Sequence, residues 1–538
     1  MKGLYLFGLI EAVTLVVALA ACGGGSEAAA DTTLGGVVAQ GAAMAGAQVT
    51  VVDSQGVRRQ ASTDAAGRYA VNADGLRVPL LVSSIPAGGN TNCRYNDRPR
   101  AACMAAYVVT LREGSNVANV NPLTDRIASD IAVALKYIGP QQLVDSGKAP
   151  AVDAAVLQTA ITEMRAGFSA ALTAAGVTEV AGFDPVSTPM NADGRGVDAV
   201  LDLINHTRNY DNNSGESAHA VLTDISFRPI VGLLGNGAYE PLDFARAQRE
   251  LAEIRNASVR VLVVGDSTAA TYELGRLPRM GWGQVFEGRF KAGSRVKVLN
   301  GARAGRASRD FYNSGWYGQM ARFMKPGDYV IINHGHNDQN CDASKALRGA
   351  ADVANLCSYP NDAGGHRQHP AGASDMSFQT ALERYVTLAR MAGATPLLMT
   401  PTTRYWNVDR NTAYQGSDTR PVVPNHVTRQ NAANGFAFVG DYSQTIRDTA
   451  NARGVPLIDL EAKTIVFANA HAADWKGYWL AVDPADPRYP YYRTQTTGTL
   501  ASPDTTHFQQ AGAEAVADMV VQGIKETPAL ASMANLLQ

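Results

Sequence analysis

The sequence predicts a three-layer α/β domain built on a parallel sheet, preceded by a small β-rich region and a helical one. Two observations carry the α/β reading. Five short apolar runs recur in the second half: VRVLVVG from Val259, RVKVLNG from Arg295, DYVIINHG from Asp328, TPLLMTP from Thr395 and VPLIDL from Val455. They are too short for typical helices and mostly rich in β-branched residues, as buried parallel strands are. The stretches between them, such as FQTALERYVTLARMAGA and YSQTIRDTANARG, are amphipathic at helical spacing. Strands alternating with helices fold as a parallel sheet covered on both faces.

The chain has 538 residues, enough for about three domains at ~100–200 residues each. With 46% hydrophobic and 18% charged residues it can bury a sizeable core. The charge is nearly balanced, 47 basic against 49 acidic residues, so nothing in bulk attracts nucleic acid or an anionic membrane.

The N-terminus reads as an address. Lys2 precedes a mostly apolar run ending LVVALAACGGGSE, a short hydrophobic segment with small residues before a cysteine. Leu19-Ala20-Ala21-Cys22 resembles the lipobox of bacterial lipoproteins. The resemblance implies a signal peptide over 1–21, a lipid on Cys22 that anchors the protein to a membrane, and a flexible tether over 22–35. Gly23 in place of aspartate fits outer-membrane sorting in the bacterial cell envelope, with the periplasmic or surface face left open. A plain secretory signal or an uncleaved anchor is the alternative. Of the five cysteines, Cys22 leaves two local pairs, Cys93/Cys103 and Cys341/Cys357, and no cysteine–histidine cluster has zinc spacing. In an exported protein such pairs read as disulfides.

Residues 36–112 follow a β pattern. GAQVTVVDSQG alternates, and STDAAGRYAVNADG sets turn residues around a short strand at Arg68 to Val71. Gly36-Val37, Gly46 to Val51 and Thr63 to Tyr69 are similar to elements of the carboxypeptidase regulatory-like β-sandwich. From 113 to 257 the period becomes helical, a connector. Thr124 is expected to cap a helix burying Ile127, Ile131 and Leu135, stopped by Gly139-Pro140. A second helix, from about Val152 to Gly176, buries Leu157, Ile161, Met164, Phe168 and Leu172. A third follows Asp198 with Val200, Leu201 and Ile204.

In the last region, 258–538, the first strand stops at Gly265-Asp266-Ser267, and the small residues after it lead toward a helix. A serine on such a turn sits at the carboxyl end of the sheet, where open α/β folds place their sites. Gly305 follows the second strand in NGARAGRASRDF, and Asn337 ends the third in HGHNDQN. Asp504 and His507 lie three apart in the terminal loop PDTTHFQQAGAEAV, just before a helix. These blocks, in this order, resemble the SGNH (GDSL) hydrolase superfamily. GDST, GWG, NGARAGRASRDF, GDYVIINHGHND, VPLIDL and D-x-x-H-F further resemble rhamnogalacturonan acetylesterases, over roughly Val259 to Ile524.

The chemistry needs these residue types. A serine hydroxyl is a weak nucleophile without an adjacent base. His507 suits that role, and Asp504 would hold its tautomer and stabilise the imidazolium. Ester attack creates an oxyanion, for which the Ser267 and Gly305 amides and the Asn337 side chain are the expected donors. Asp266 is a rival acid, but it neighbours the serine in sequence. Trp282, Arg306 and His336 are candidate substrate-binding residues, and Trp316 and Tyr312 are further aromatic candidates. His334, His336 and Asp338 alternate like metal ligands on a strand end, yet no completing acidic set is visible. No metal and no cofactor are expected.

The resemblance implies an exported serine esterase acting on an acetylated polysaccharide. Two long segments, residues 339–375 and 403–426, depart from the family pattern and are expected near the catalytic face, where loops after strands gather. A glycan O-acetyltransferase of the same fold and a non-catalytic glycan-binding lipoprotein are the alternatives. The oligomeric state is open.

Overall fold

The computed structural model describes residues 31–88, 103–137, 139–209, 219–231, 240–339, 358, 377–405, 421–429 and 439–538. Cys22, Cys93, Cys341 and Cys357 lie outside them. Cys103 is buried and disulfide-bonded.

The β-rich region begins at Thr33. The strand Thr33–Val37 runs antiparallel to Arg68–Asn72 and parallel to Ser115–Val117. A four-stranded antiparallel sheet joins Arg58–Ser62, Gln48–Val52, Leu80–Ile85 and Met104–Val108 in that order. The sheets share one core, with Leu34, Val71, Val49, Val82 and Met104 among its members. Gly35-Gly36 reads in sequence as the end of a tether and the start of a sandwich, but both residues lie mid-strand. A β-carbon on Gly36 would sit 2.2 Å from the Ala118 carbonyl oxygen, so glycine there permits close backbone approach.

The connector contains the expected helices, with differences at their ends. Helix Pro122–Ala134 is capped by Asn121. Thr124 completes a capping box three residues later, rather than serving as the cap itself. Helix Ala154–Ala174 is capped by Asp153 and buries Met164, Phe168 and Leu172, while Leu157 and Ile161 are only partly buried. The third helix covers only Val197–Leu201. Ile204, expected on that helix, instead opens a strand, Ile204–Asn209, in an antiparallel sheet with His219–Asp224 and Pro229–Val231. The side chain of Asn205 donates to the Asp224 carbonyl at 2.7 Å. Such a long-range bond is invisible to local periodicity. His206 and Asp125, both fully buried and 2.8 Å apart, tie this sheet to the first helix.

The central sheet has five parallel strands: Val296–Asn300, Val259–Gly265, Tyr329–Asn333, Thr395–Met399 and Leu457–Ile458 in spatial order, or 2-1-3-4-5 by sequence. Period two divides its side chains between two cores. Leu262, Val264, Ile332 and Leu398 enter one core with Phe311, Tyr385 and Ile446. Connector residues Ile127, Phe168 and Leu251 belong to the same core, so the connector packs continuously onto the parallel-sheet region. Val261, Val263, Ile331 and Leu397 enter the other, with Trp282, Phe286 and Val516. Helices Phe378–Met391 and Tyr442–Arg453 contribute to the first core, and Leu460–Ala470 and Gln510–Glu526 to the second, which completes three layers. Arg260 and Asp328, 2.7 Å apart and buried, pin the amino-terminal side of the sheet. Among the described residues no helix is long and apolar enough to cross a membrane.

Candidate active site

Ser267 lies on a turn directly after the first strand of the sheet. No helix begins there: the next α-helix is Trp282–Val285. The turn is held by its neighbours instead. Asp266 accepts from the Thr268 amide at 3.0 Å and hydroxyl at 2.9 Å, and from the His336 amide at 3.3 Å. Its carboxylate is thus engaged in loop geometry, which answers the question of a rival acid.

Asp504 and His507 lie on a strand, Asp504–Gln509, rather than in a loop. Residues three apart on a regular strand face opposite sides. Here the pairing with Trp479–Leu480 shifts register, matching Trp479 to Phe508 and Leu480 to Asp504. Asp504 Oδ1 also accepts from the amides of Thr506 at 2.9 Å and His507 at 3.1 Å. This local irregularity brings both side chains to one side. Asp504 Oδ2 lies 2.6 Å from His507 Nδ1, and His507 Nε2 lies 2.8 Å from Ser267 Oγ. With Nδ1–H donating to the carboxylate, Nε2 is left to accept the serine proton.

Burial, and then the Arg279 charge, depress the His507 pKa below its ordinary value, with Arg404 adding to them and Asp504 opposing. Burial alone would raise Asp504, but His507, Arg279 and the Thr506 amide outweigh it and hold the carboxyl well below the usual range. Both shifts act the same way, favouring an ionised Asp504 and a neutral His507.

Gly305 has a φ of 73°, a left-handed conformation that suits glycine. Asn337 is 9% exposed, and its amide nitrogen donates weakly to the Arg306 carbonyl at 3.3 Å, linking the second and third blocks. Asp338 strengthens that link by accepting from the Ser308 amide at 2.8 Å and hydroxyl at 2.6 Å. Burial pushes Asp338 up to about 7 and Asp266 up to about 6.

Burial corrects the expectations for Trp282, Trp316, Tyr312 and Arg306. Trp282 is fully buried, stacked edge-on to Phe286 and donating to Asn333 Oδ1 at 3.1 Å, so it is a core residue rather than a sugar platform. Trp316 and Tyr312 are likewise buried. Arg306 is 2% exposed and paired with Asp310 at 2.9 Å, so its charge is already committed within the protein.

His336 is buried as well, facing Thr402 Oγ1 at 3.2 Å and the His426 ring at 4.6 Å. His334 is enclosed by Phe311 and Tyr385, and burial drops it to about 3. The imagined ligand trio does not converge, because the strand ends at Asn333 and Gly335, at φ 151°, breaks the alternation. Among the described residues no group of three or more His, Cys, Asp or Glu side chains is arranged to hold a metal.

Sequence reasoning missed Arg404 and His426, although both lie in the insertion expected near the catalytic face. Arg404 donates to the His336 carbonyl at 3.2 Å and to Gln339 Oε1 at 3.1 Å. It thus braces the loop that carries Asn337. Arg279 and Tyr272 were also missed, since neither residue type signals a site by itself.

Residues 263–515 match the GDSL-like lipase/acylhydrolase family. The rhamnogalacturonan acetylesterase RhgT of Bacillus subtilis (strain 168) is 28% identical over 271 residues, covering 50% of this chain and 90% of that protein. The probable rhamnogalacturonan acetylesterase YesY of the same organism is 26% identical over 266 residues, covering 49% and 92%. A crystal structure of protein YXIM from Bacillus subtilis aligns with a TM-score of 0.34 at 18% identity, over 60% of this chain and 74% of that one.

Proposed function

We propose that residues 263–515, which match the GDSL-like lipase/acylhydrolase family, form a carboxylic ester hydrolase that removes acetyl groups from a polysaccharide through Ser267, His507 and Asp504. The observation that carries the reading is the hydrogen-bonded relay from Asp504 through His507 to Ser267, at 2.6 and 2.8 Å. His507 Nε2 takes the serine proton as Oγ attacks the ester carbonyl, and Asp504 stabilises the imidazolium. The Ser267 and Gly305 amides and the Asn337 side chain receive the developing oxyanion. His507 then gives its proton to the departing sugar hydroxyl. Water repeats the sequence on the acyl-enzyme and releases acetate.

Pectic rhamnogalacturonan is the proposed polymer, on the likeness to the two acetylesterases. The protein is proposed to be exported and held to the bacterial envelope by a lipid on Cys22, with Cys93/Cys103 and Cys341/Cys357 as disulfides. The N-terminal sequence pattern and the disulfide at Cys103 support this reading.

The test is acetate release from acetylated pectin, acetylated xylan and p-nitrophenyl esters of rising chain length, with Ser267→Ala as control. Acetate from pectin without an added acceptor, and acetyl preferred over octanoyl, are expected. A strict need for an acceptor would make the enzyme a transferase, and a preference for long chains would make it a lipase.

A further inference from the structure

With Trp282 and Trp316 in the core, two other segments carry partly exposed aromatic side chains beside the relay among the described residues. One follows Ser267 in the chain, residues 272–279, and the other precedes Asp504, residues 489–492. Tyr272 donates its hydroxyl to the Ser267 carbonyl at 2.8 Å. The Arg279 guanidinium lies over the Tyr272 ring, 4.6 Å from its centroid. Tyr492, buried, donates to the Arg276 carbonyl at 2.9 Å, and so ties the second segment to the first. Arg276 in turn lies 4.3 Å from the Tyr491 ring centroid and donates to its hydroxyl at 2.5 Å. Tyr272, Arg276, Arg279 and Tyr491 all keep part of their surface in solvent.

We infer that this Tyr–Arg wall is a glycan subsite, which holds a sugar ring next to the one that carries the acetyl group. The inference rests on the proposed function. Tyrosine offers a flat apolar face to the C–H face of a pyranose, and guanidinium groups donate to its hydroxyls. The ring–guanidinium stacks and the tie from Tyr492 hold these side chains before substrate arrives, which reduces the ordering cost of binding. The wall's position follows from the chain: one end bonds to the carbonyl of the nucleophile itself. Tyr272 and Leu274 also line a cleft of about 490 Å³ together with connector residues Ser226 and Arg228, which leaves room for a polymer to continue. A small synthetic ester carries no neighbouring sugar ring for this wall to hold.

The experiment compares kcat/KM on acetylated pectin or xylan with kcat/KM on p-nitrophenyl acetate, in the full chain and in Tyr491→Ala and Arg276→Ala. The polymer-to-small-ester ratio is expected to fall about tenfold in each variant, through KM, as the loss of one well-formed contact implies. Tyr491→Phe keeps the ring and should keep most of the ratio. If Tyr491→Ala lowers both activities together, the ratio in Arg276→Ala decides. A polymer-active wild type whose ratio stays within about twofold in Arg276→Ala and Tyr491→Ala overturns the subsite alone. A wild type that cleaves the small ester but no acetylated glycan overturns the proposed function, and the subsite with it.

Discussion

Asp504→Asn tests the relay most sharply, because the substitution alters one bond and leaves the others in place. Asp504 Oδ1 accepts two backbone amides, from Thr506 and His507, and an asparagine carbonyl can do the same. The turn should therefore survive and the protein should fold. Oδ2, 2.6 Å from His507 Nδ1, becomes an amide nitrogen that donates rather than accepts. Nδ1 must then be the acceptor, which moves the imidazole proton to Nε2, facing Ser267 Oγ at 2.8 Å. A protonated Nε2 cannot take the serine proton. In triads of this type the wrong tautomer lowers turnover by ~10⁴, about 5.5 kcal/mol of transition-state stabilisation. The assay is p-nitrophenyl acetate hydrolysis at neutral pH, with circular dichroism to confirm folding. A folded Asp504→Asn protein that keeps more than about a tenth of wild-type kcat would refute the relay.

Three further outcomes are expected. Ser267→Ala and His507→Ala should each lower kcat by ~10⁶ with little added by the pair, whereas Asn337→Ala should cost only about 10²–10³; additive losses in steady-state kinetics would contradict a concerted unit. With His507 as the proposed base, activity requires its neutral form, and burial with Arg279 and Arg404 lowers its pKa. The acid limb of kcat/KM should therefore lie below the ordinary histidine value of ~6.5, and a midpoint above it in a pH–rate profile would count against His507 as the base. Asp328→Ala should destabilise the fold by about 3–5 kcal/mol in denaturant titration, because Arg260 is left buried without its carboxylate; a loss under about 1 kcal/mol would show that water or another group replaces it.

Much of this protein was legible in the sequence because its signals are local. The five strands could be read from short apolar runs, since a strand buried on both faces is apolar at nearly every position. Ser267, Gly305 and Asn337 were legible because each stands at the carboxyl end of such a run, where chain order alone brings residues to one edge of a parallel sheet. What depends on contacts far apart in the chain was not legible. Gly35-Gly36 resembles a tether until the Ala118 carbonyl comes close enough to exclude a β-carbon. Ile204 continues a helical pattern until Asp224, far along the chain, offers a carbonyl to Asn205.

In the site, the residue types of Asp504 and His507 were evident, but their shared face depends on a register shift against Trp479–Leu480. Trp282 resembled a sugar platform because indole suits both a glycan and a core, and only its burial beside Phe286 and Asn333 decides which. Arg279, Arg404 and His426 carry no local signal at all. Residue type and order along the chain set which chemistry is available; folding sets which side chains lose their water and which charges stand near His507, because desolvation and Coulomb interaction depend on distance in space.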